Sequence, residues 1–231
     1  MNIEVIKEQV VDYKRKLISN NGRSDRIYQI DQIFEVLEKE IDHNQPLNII
    51  ETGASHSWDD GLMGLFFAKI CQMTGGKMWV VDIDESVIEK SKEVFELENI
   101  NCVEFIVDDS VEFLKKFNEK VDLIHLDLWD LDLMNPFPSA LHGWREFDAI
   151  KDKISNDTIV IVDDNFLDGT WVDWNHMIDG ELVSTERVTI TYPCVGKGSH
   201  IWWWVQQPEN GWRLLSENIA GRNIKIICKK N

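Results

Sequence analysis

The chain of 231 residues is short of several residue types, and each shortage removes a class of protein. With 13 glycines and 5 prolines it cannot be collagen-like or a low-complexity linker. Its four cysteines, Cys71, Cys102, Cys194 and Cys228, lie far apart with no C-x-x-C pair. Neither a zinc site nor a disulfide framework follows, and reduced thiols in a cytosol are the simpler expectation. No stretch reaches the ~18 apolar residues that span a bilayer. The start, Met1-Asn2-Ile3-Glu4, lacks the basic region and apolar run of an export signal. The sequence therefore predicts a cytoplasmic location and no membrane partner. Positive charge is also scarce: 24 Lys and Arg stand against 41 Asp and Glu, a formal charge of −17. That balance repels phosphate backbones, so no nucleic-acid partner is expected.

What remains is a globular composition, 43% hydrophobic and 28% charged, at a length suited to one domain. Residues 3–18 carry apolar side chains at three- and four-residue steps, the stripe of an amphipathic helix. After a loop at 20–23, Ser24 can cap a second helix running to about residue 41. Residues 1–45 thus read as an N-terminal helical extension. From residue 47 short apolar runs at 47–51, 78–82, 103–107, 121–127 and 158–163 alternate with helical stretches near 60–73, 85–97, 109–117 and 139–153. This alternation predicts an α/β fold, doubly wound around a mostly parallel sheet, because each parallel strand needs a crossover. The runs 212–216 and 223–228, joined by a turn at 220–222, add an antiparallel C-terminal hairpin and bring the expected sheet to seven strands. Within this second unit, 46–231, the stretch at about 169–194 is longer than a usual connection and holds Trp171, Trp174, His176 and Tyr192. It reads either as an insertion over the site or as a subdomain against the sheet edge.

Ligands of open α/β sheets bind beyond the carboxyl ends of the strands, and here those ends are acidic. The first run leads into Glu51-Thr52-Gly53-Ala54-Ser55, the second into Asp82-Ile83-Asp84 and the third into Asp108-Asp109-Ser110. There is no G-x-G-x-x-G fingerprint and no P-loop Lys-Ser/Thr. A carboxylate in the first turn repels a pyrophosphate and suits a cationic nucleoside, which points to the sulfonium S-adenosylmethionine.

In this set of motifs the region from about 47 to 229 resembles the class I S-adenosylmethionine-dependent methyltransferases, whose fold is Rossmann-like. The resemblance implies that Glu51, Gly53, Ala54 and Ser55 hold the methionine part, Asp82 with Ile83 the ribose, and Asp109 with Ser110 the adenine, with Asp127 also beside the cofactor. A narrower resemblance joins His125-Leu126-Asp127-Leu128-Trp129 and Val162-Asp163-Asp164-Asn165 to the catechol-type O-methyltransferases, and implies Asp127, Asp164 and Asn165 as ligands of Mg²⁺. Neighbouring strands ~4.8 Å apart can present three hard oxygens to one ion. The same acids can equally cap helices or fix turns. The segment from Asn135 to His142, with Asp163-Asp164-Asn165 and Gly196-Lys197-Gly198, further resembles a bacterial and viral subgroup of methyltransferases with mostly unassigned substrates.

The expected general base is His142, Lys197 or Asp130, in that order. His142 can alternatively pair with Glu146 one helical turn on, and Asp130 stands where the catechol enzymes carry a lysine. His125, within an apolar run, reads as a core residue. Trp202-Trp203-Trp204 cannot all face one way, so a pocket, a lid or a homodimer contact is expected from them. The function expected is Mg-assisted methyl transfer to a hydroxyl of a small molecule or sugar, with the acceptor pocket built from 1–45 and 169–205. A metal-independent methyltransferase and a non-catalytic nucleoside-binding module are the alternatives.

Overall fold

The computed structural model describes residues 3–20, 27–42, 45–57, 62–178, 181–217 and 224–231. The capping serine at 24 and the turn at 220–222 lie outside the described residues. Helix α1 (Ile3–Ser19) buries Ile6, Val10, Tyr13 and Leu17, and α2 (Ile27–Glu40) buries Ile30, Ile33 and Leu37, so the helical periodicity of the sequence becomes a packed face. The chain then alternates β1 (Ile49–Thr52), α3 (Met63–Thr74), β2 (Met78–Asp82), α4 (Glu85–Leu97), β3 (Val103–Val107), α5 (Ser110–Lys116), β4 (Leu123–Leu126), α6 (Phe137–Ile150) and β5 (Ile159–Leu167). It continues through β6 (Trp171–Ile178), β7 (Glu181–Thr189), β8 (Cys194–Gly196), α7 (Ser199–Val205), β9 (Trp212–Glu217) and β10 (Ile224–Lys230).

The main sheet has eight strands in the order β3-β2-β1-β4-β5-β10-β9, with β8 paired to β5. Strands β1 to β5 run parallel, whereas β10 is antiparallel to β5 and β9. Alternate residues of the central strands feed two cores, one on each face. Ile49, Ile161 and Ile227 join the layer of α1 to α4, while Ile50, Val162 and Ile226 join that of α6 and α7. The two N-terminal helices thus share the first core with the sheet instead of standing apart from it.

Two departures from the sequence reading matter for the site. Strand β5 does not stop at residue 163; it continues to Leu167, and β8 takes the side of it that β4 has vacated, pairing Asn165 with Gly196. The eighth strand comes from this continuation. Within it Asp164 adopts a left-handed backbone, φ +51°, a conformation costly for a residue with a Cβ. Secondly, β6 and β7 pair antiparallel as a two-stranded sheet of their own, with β7 exposed along nearly its whole length. Arg187 pairs there with Asp173 and lies 3.8 Å over the Trp171 ring.

Candidate functional site

The carboxyl ends of β1, β2 and β4 meet at a cavity of about 640 Å³, lined by Gly53, Ala54, Ser55, His56, Ser57, Asp82, Ile83, Val87, Asp127, Leu128, Trp129, Asp130, Asp164 and Lys197. Its floor is tied together by backbone groups. Gly53 donates its N–H to Val81 O at 2.9 Å and has φ +84°. A Cβ there would stand 2.8 Å from Asp127 O, so only glycine lets the turn after β1 lie against the end of β4. Asp82 accepts from Ala54 N through one oxygen and from Asp84 N through the other, both at 2.9 Å. It thereby locks the first two loops in one position, with lone pairs left over on each oxygen.

Opposite these loops lies a second device, built from two segments far apart in sequence. Lys197, 2% exposed, directs Nζ at Asp127 Oδ1 (2.7 Å), Asp127 O (3.1 Å) and Asp164 Oδ2 (2.9 Å). Asn165 holds the lysine loop to β5: its Oδ1 accepts from Gly198 N at 2.7 Å, and its Nδ2 donates to Val162 O and Asp163 O at 3.0 and 2.9 Å. Gly196, φ +134°, passes so near Asp164 that a Cβ would fall 2.0 Å from the carbonyl oxygen. Burial alone would lower the Lys197 pKa, but the carboxylates of Asp127, Asp164 and Asp163 outweigh it and hold the ammonium above the usual lysine range. Burial, and then the carboxylate of Asp163, pushes Asp127 up to about 7 against the pull of Lys197 and Lys225.

Beneath the cavity a row of fully buried ionisable groups crosses four adjacent strands. His125 Nδ1 on β4 is 3.1 Å from Glu51 Oε1 on β1, His125 Nε2 is 4.0 Å from Asp163 Oδ2 on β5, and Lys225 on β10 pairs with that same oxygen.

Several expected site residues stand elsewhere. Glu51 turns into the core under α3, where its Oε2 would meet a Cβ on Gly64 at 2.1 Å; it does not line the cavity, so it supports the site through His125. Asp109 caps α5 by accepting from Glu112 N, and Ser110 is buried with its Oγ 3.2 Å from His142 Nε2; neither lines the cavity. His142 also lies 3.6 Å from Glu146 and 5.5 Å from the Trp129 ring, so it joins α6 to α5 and is badly placed for a base. Lys197 cannot be the base either, because a lysine held protonated has no lone pair to offer. Asp130 is exposed at the rim. The residues brought together are Gly53, Ala54, Ser55, Asp82, Ile83, Asp127, Asp130, Asp164 and Lys197. His56 and Ser57 were given no role from sequence, although they directly follow the Gly53–Ser55 turn.

The Mg²⁺ set of Asp127, Asp164 and Asn165 does not fit a divalent ion. The Lys197 ammonium already bridges both carboxylates, and the Asn165 amide is used on both ends by backbone groups. His125, Asp127 and Asp163 also come within 4.8 Å of one another, but Lys197 and Lys225 supply the positive charge there.

A second cavity of about 580 Å³, mainly apolar, adjoins the lysine loop at Gly196 and is lined by Leu133, Met134, Phe137, Tyr192, His200 and Trp203 among others. Trp203 faces it while Trp204 turns inward onto Phe147 and Trp212, which separates the adjacent tryptophans by role. No described residue of α1 or α2 lines either cavity, since both helices are spent on the opposite layer. Among the described residues no helix is long and apolar enough to cross a membrane.

Comparison with known proteins agrees with this architecture. The spermine/spermidine synthase domain family matches residues 60–185. No curated protein matches the sequence. Among solved structures, a Streptococcus mutans protein assigned as a methyltransferase and holding SAH superposes with TM-score 0.55 at 13% identity, over 87% of this chain and 97% of that one. A ribosomal protein L11 methylase from Lactobacillus delbrueckii subsp. bulgaricus gives 0.54 at 12% identity, over 91% and 80%. An rRNA methylase from Streptococcus thermophilus gives 0.51 at 10%, over 85% and 92%. At these identities the shared property is the Rossmann-like methyltransferase fold. The narrower catechol-type likeness has no counterpart among these relatives. The expectation of a small-molecule hydroxyl acceptor with nucleic acid excluded is overturned, because methylases of rRNA and of a ribosomal protein share the fold. Net charge was the reason for that exclusion, and it describes the whole surface rather than the approach to one cavity.

Proposed function

The chain belongs to the spermine/spermidine synthase domain family, and from that premise we propose that it binds S-adenosylmethionine in the acid-lined cavity and transfers its methyl group. The observation that carries this reading is the joining of Gly53, Asp82 and Asp127 at the carboxyl ends of three parallel strands, around a space large enough for a nucleoside. The donor set supports the fit: among the described residues Asp82, Asp127, Asp130 and Asp164 face the cavity against Lys197, which favours a sulfonium over a phosphate-bearing ligand. The donor supplies an activated methyl group on positively charged sulfur. Asp82, fixed by two backbone N–H groups, keeps acceptor capacity for the ribose hydroxyls, and Ile83, Leu128 and Trp129 give the apolar walls. As the new methyl bond forms, the S–CH₃ bond breaks and the electron pair returns to sulfur. The proton of the acceptor goes to Asp127, whose carboxyl burial and Asp163 raise to about 7. The apolar cavity beyond Gly196 provides the acceptor's approach.

Calorimetric titration with S-adenosylmethionine and S-adenosylhomocysteine, followed by transfer of labelled methyl to RNA, protein and polyamine pools, tests the reading. Binding of neither nucleoside at millimolar concentration overturns it. The family supports a second reading, polyamine synthesis by aminopropyl transfer to an amine, and the acidic lining suits a cationic amine acceptor. Growth of a polyamine by one aminopropyl unit, with no methyl transfer, would select it.

A further inference from the structure

We infer that the Lys197 ammonium is the resident cation of this site: it occupies the position between Asp127 and Asp164 that a divalent ion would need, and the cavity works without metal. The inference extends the proposed reading of the cavity, but its test reads metal binding instead of turnover, so either can fail alone.

Three observations converge on it. An ammonium has three N–H donors, and three acceptors surround Nζ: Asp127 Oδ1 at 2.7 Å, Asp164 Oδ2 at 2.9 Å and Asp127 O at 3.1 Å. All of its hydrogens are used, so Lys197 is a positioning residue that fixes two carboxylates and offsets one of their two charges. The lysine is also delivered by a built loop. Gly196 and Gly198 lie against β5 where side chains would collide, Asn165 fastens Gly198, and Lys197 N donates to Asp164 O at 3.2 Å. The lysine carbonyl in turn rests on Gly143, where a Cβ would stand at 2.3 Å. Finally, the left-handed backbone of Asp164, φ +51°, is kept in a strand that is otherwise extended, and it is this residue whose carboxylate meets Nζ. A divalent ion bridging Asp127 and Asp164 would have to expel a cation held by the fold on every side.

The test is Mn²⁺ binding followed by electron paramagnetic resonance on the whole protein and on Lys197→Ala and Lys197→Met, with circular dichroism to check folding. The wild-type protein is expected to leave Mn²⁺ free at millimolar concentration. Removing the ammonium exposes two carboxylates to a shared position, so each folded variant should bind Mn²⁺ tighter than wild type by about tenfold or more. Adding Asp164→Asn to either variant should abolish the gain. Stoichiometric Mn²⁺ binding by the wild-type protein overturns the inference, and so does a folded lysine variant that binds no better than wild type. The Met variant retains an apolar stem in the buried channel in case Ala does not fold; if neither folds, the wild-type measurement decides.

Discussion

Replacing Asn165 with aspartate separates two views of the β5 segment by opposite outcomes. A metal-ligand role would tolerate Asn165→Asp or gain from it, since a carboxylate is the better ligand for a hard ion. The structure requires the reverse. The substitution keeps an acceptor for Gly198 N but removes both donors from Nδ2, leaving Val162 O and Asp163 O facing a carboxylate in a side-chain position with no exposure to water. Setting a carboxylate oxygen where an amide donor met two buried carbonyls costs about 1–3 kcal/mol each, and protonation of the introduced carboxyl recovers part of that, so the net loss is about 3–4 kcal/mol. At roughly 2–4 °C per kcal/mol for a chain of this size, the melting temperature should fall by roughly 6–16 °C in differential scanning calorimetry. The deficit should also depend on pH. The introduced carboxyl is favoured in its protonated form by folding, so its folded pKa lies above its unfolded one. The deficit should therefore be smaller at about pH 5 and larger at about pH 8, because stability from a raised acid is lost as pH rises. A melting temperature within about 2 °C of wild type, or new Mn²⁺ binding without loss of stability, would refute the reasoning.

Other consequences can be measured on the same protein. Asp127, raised to about 7, favours the folded state below the ordinary carboxylate range and loses that contribution as pH rises toward 7. A cationic donor favours its ionised form, so affinity for S-adenosylmethionine by calorimetry should rise up to about tenfold from pH 6 to 8, most steeply below pH 7, and then level; an equal rise for the uncharged S-adenosylhomocysteine would contradict this. Gly196→Ala should destabilise by about 3 kcal/mol, from positive φ and a collision with Asp164 O, and chemical denaturation should show it. His142→Ala should lower turnover by less than about tenfold, against the ~10²–10⁴ expected for loss of a general base; a larger fall in kcat with unchanged folding would return His142 to the chemistry.

The parts of the fold legible in the sequence were those written in local periodicity. The strands 78–82 and 103–107 coincide with the apolar runs, and the caps of α4 and α5 fall on Asp84 and Asp109, as short polar side chains before amphipathic stretches lead one to expect. Two of the three acidic strand ends read first, those after β1 and β2, do meet at the cavity, because the carboxyl end of a parallel strand is marked by where its apolar run stops; the third, at Asp109, caps α5 outside it, and the end of β4 takes its place. Roles that depend on partners distant in sequence were hidden. Asn165 is a metal ligand or a clamp depending only on what lies opposite it, and that is Gly198, which no periodicity connects to it. Asp164 and Lys197 were both singled out, yet that they meet each other depends on β5 continuing past Asp163, where polar residues resemble the end of a strand. Glu51 shows the converse error: an acid after strand one was assigned to the ligand, although the register with β4 sets it beside His125 inside the sheet.

The row from Glu51 to Lys225 also bears on the order in which the molecule becomes whole. During synthesis β1, β4 and β5 are made before β10, so for a time Asp163 has emerged without the ammonium that later neutralises it. Enclosing a carboxylate in a closing interior without its counterion costs several kcal/mol, which keeps the centre of the nascent sheet hydrated until the strand carrying Lys225 slots in beside β5. The strand carrying Lys225 therefore acts as a latch on the interior, and a ribosome-bound chain halted before Lys225 should remain sensitive to protease across the segment that forms β4 and β5.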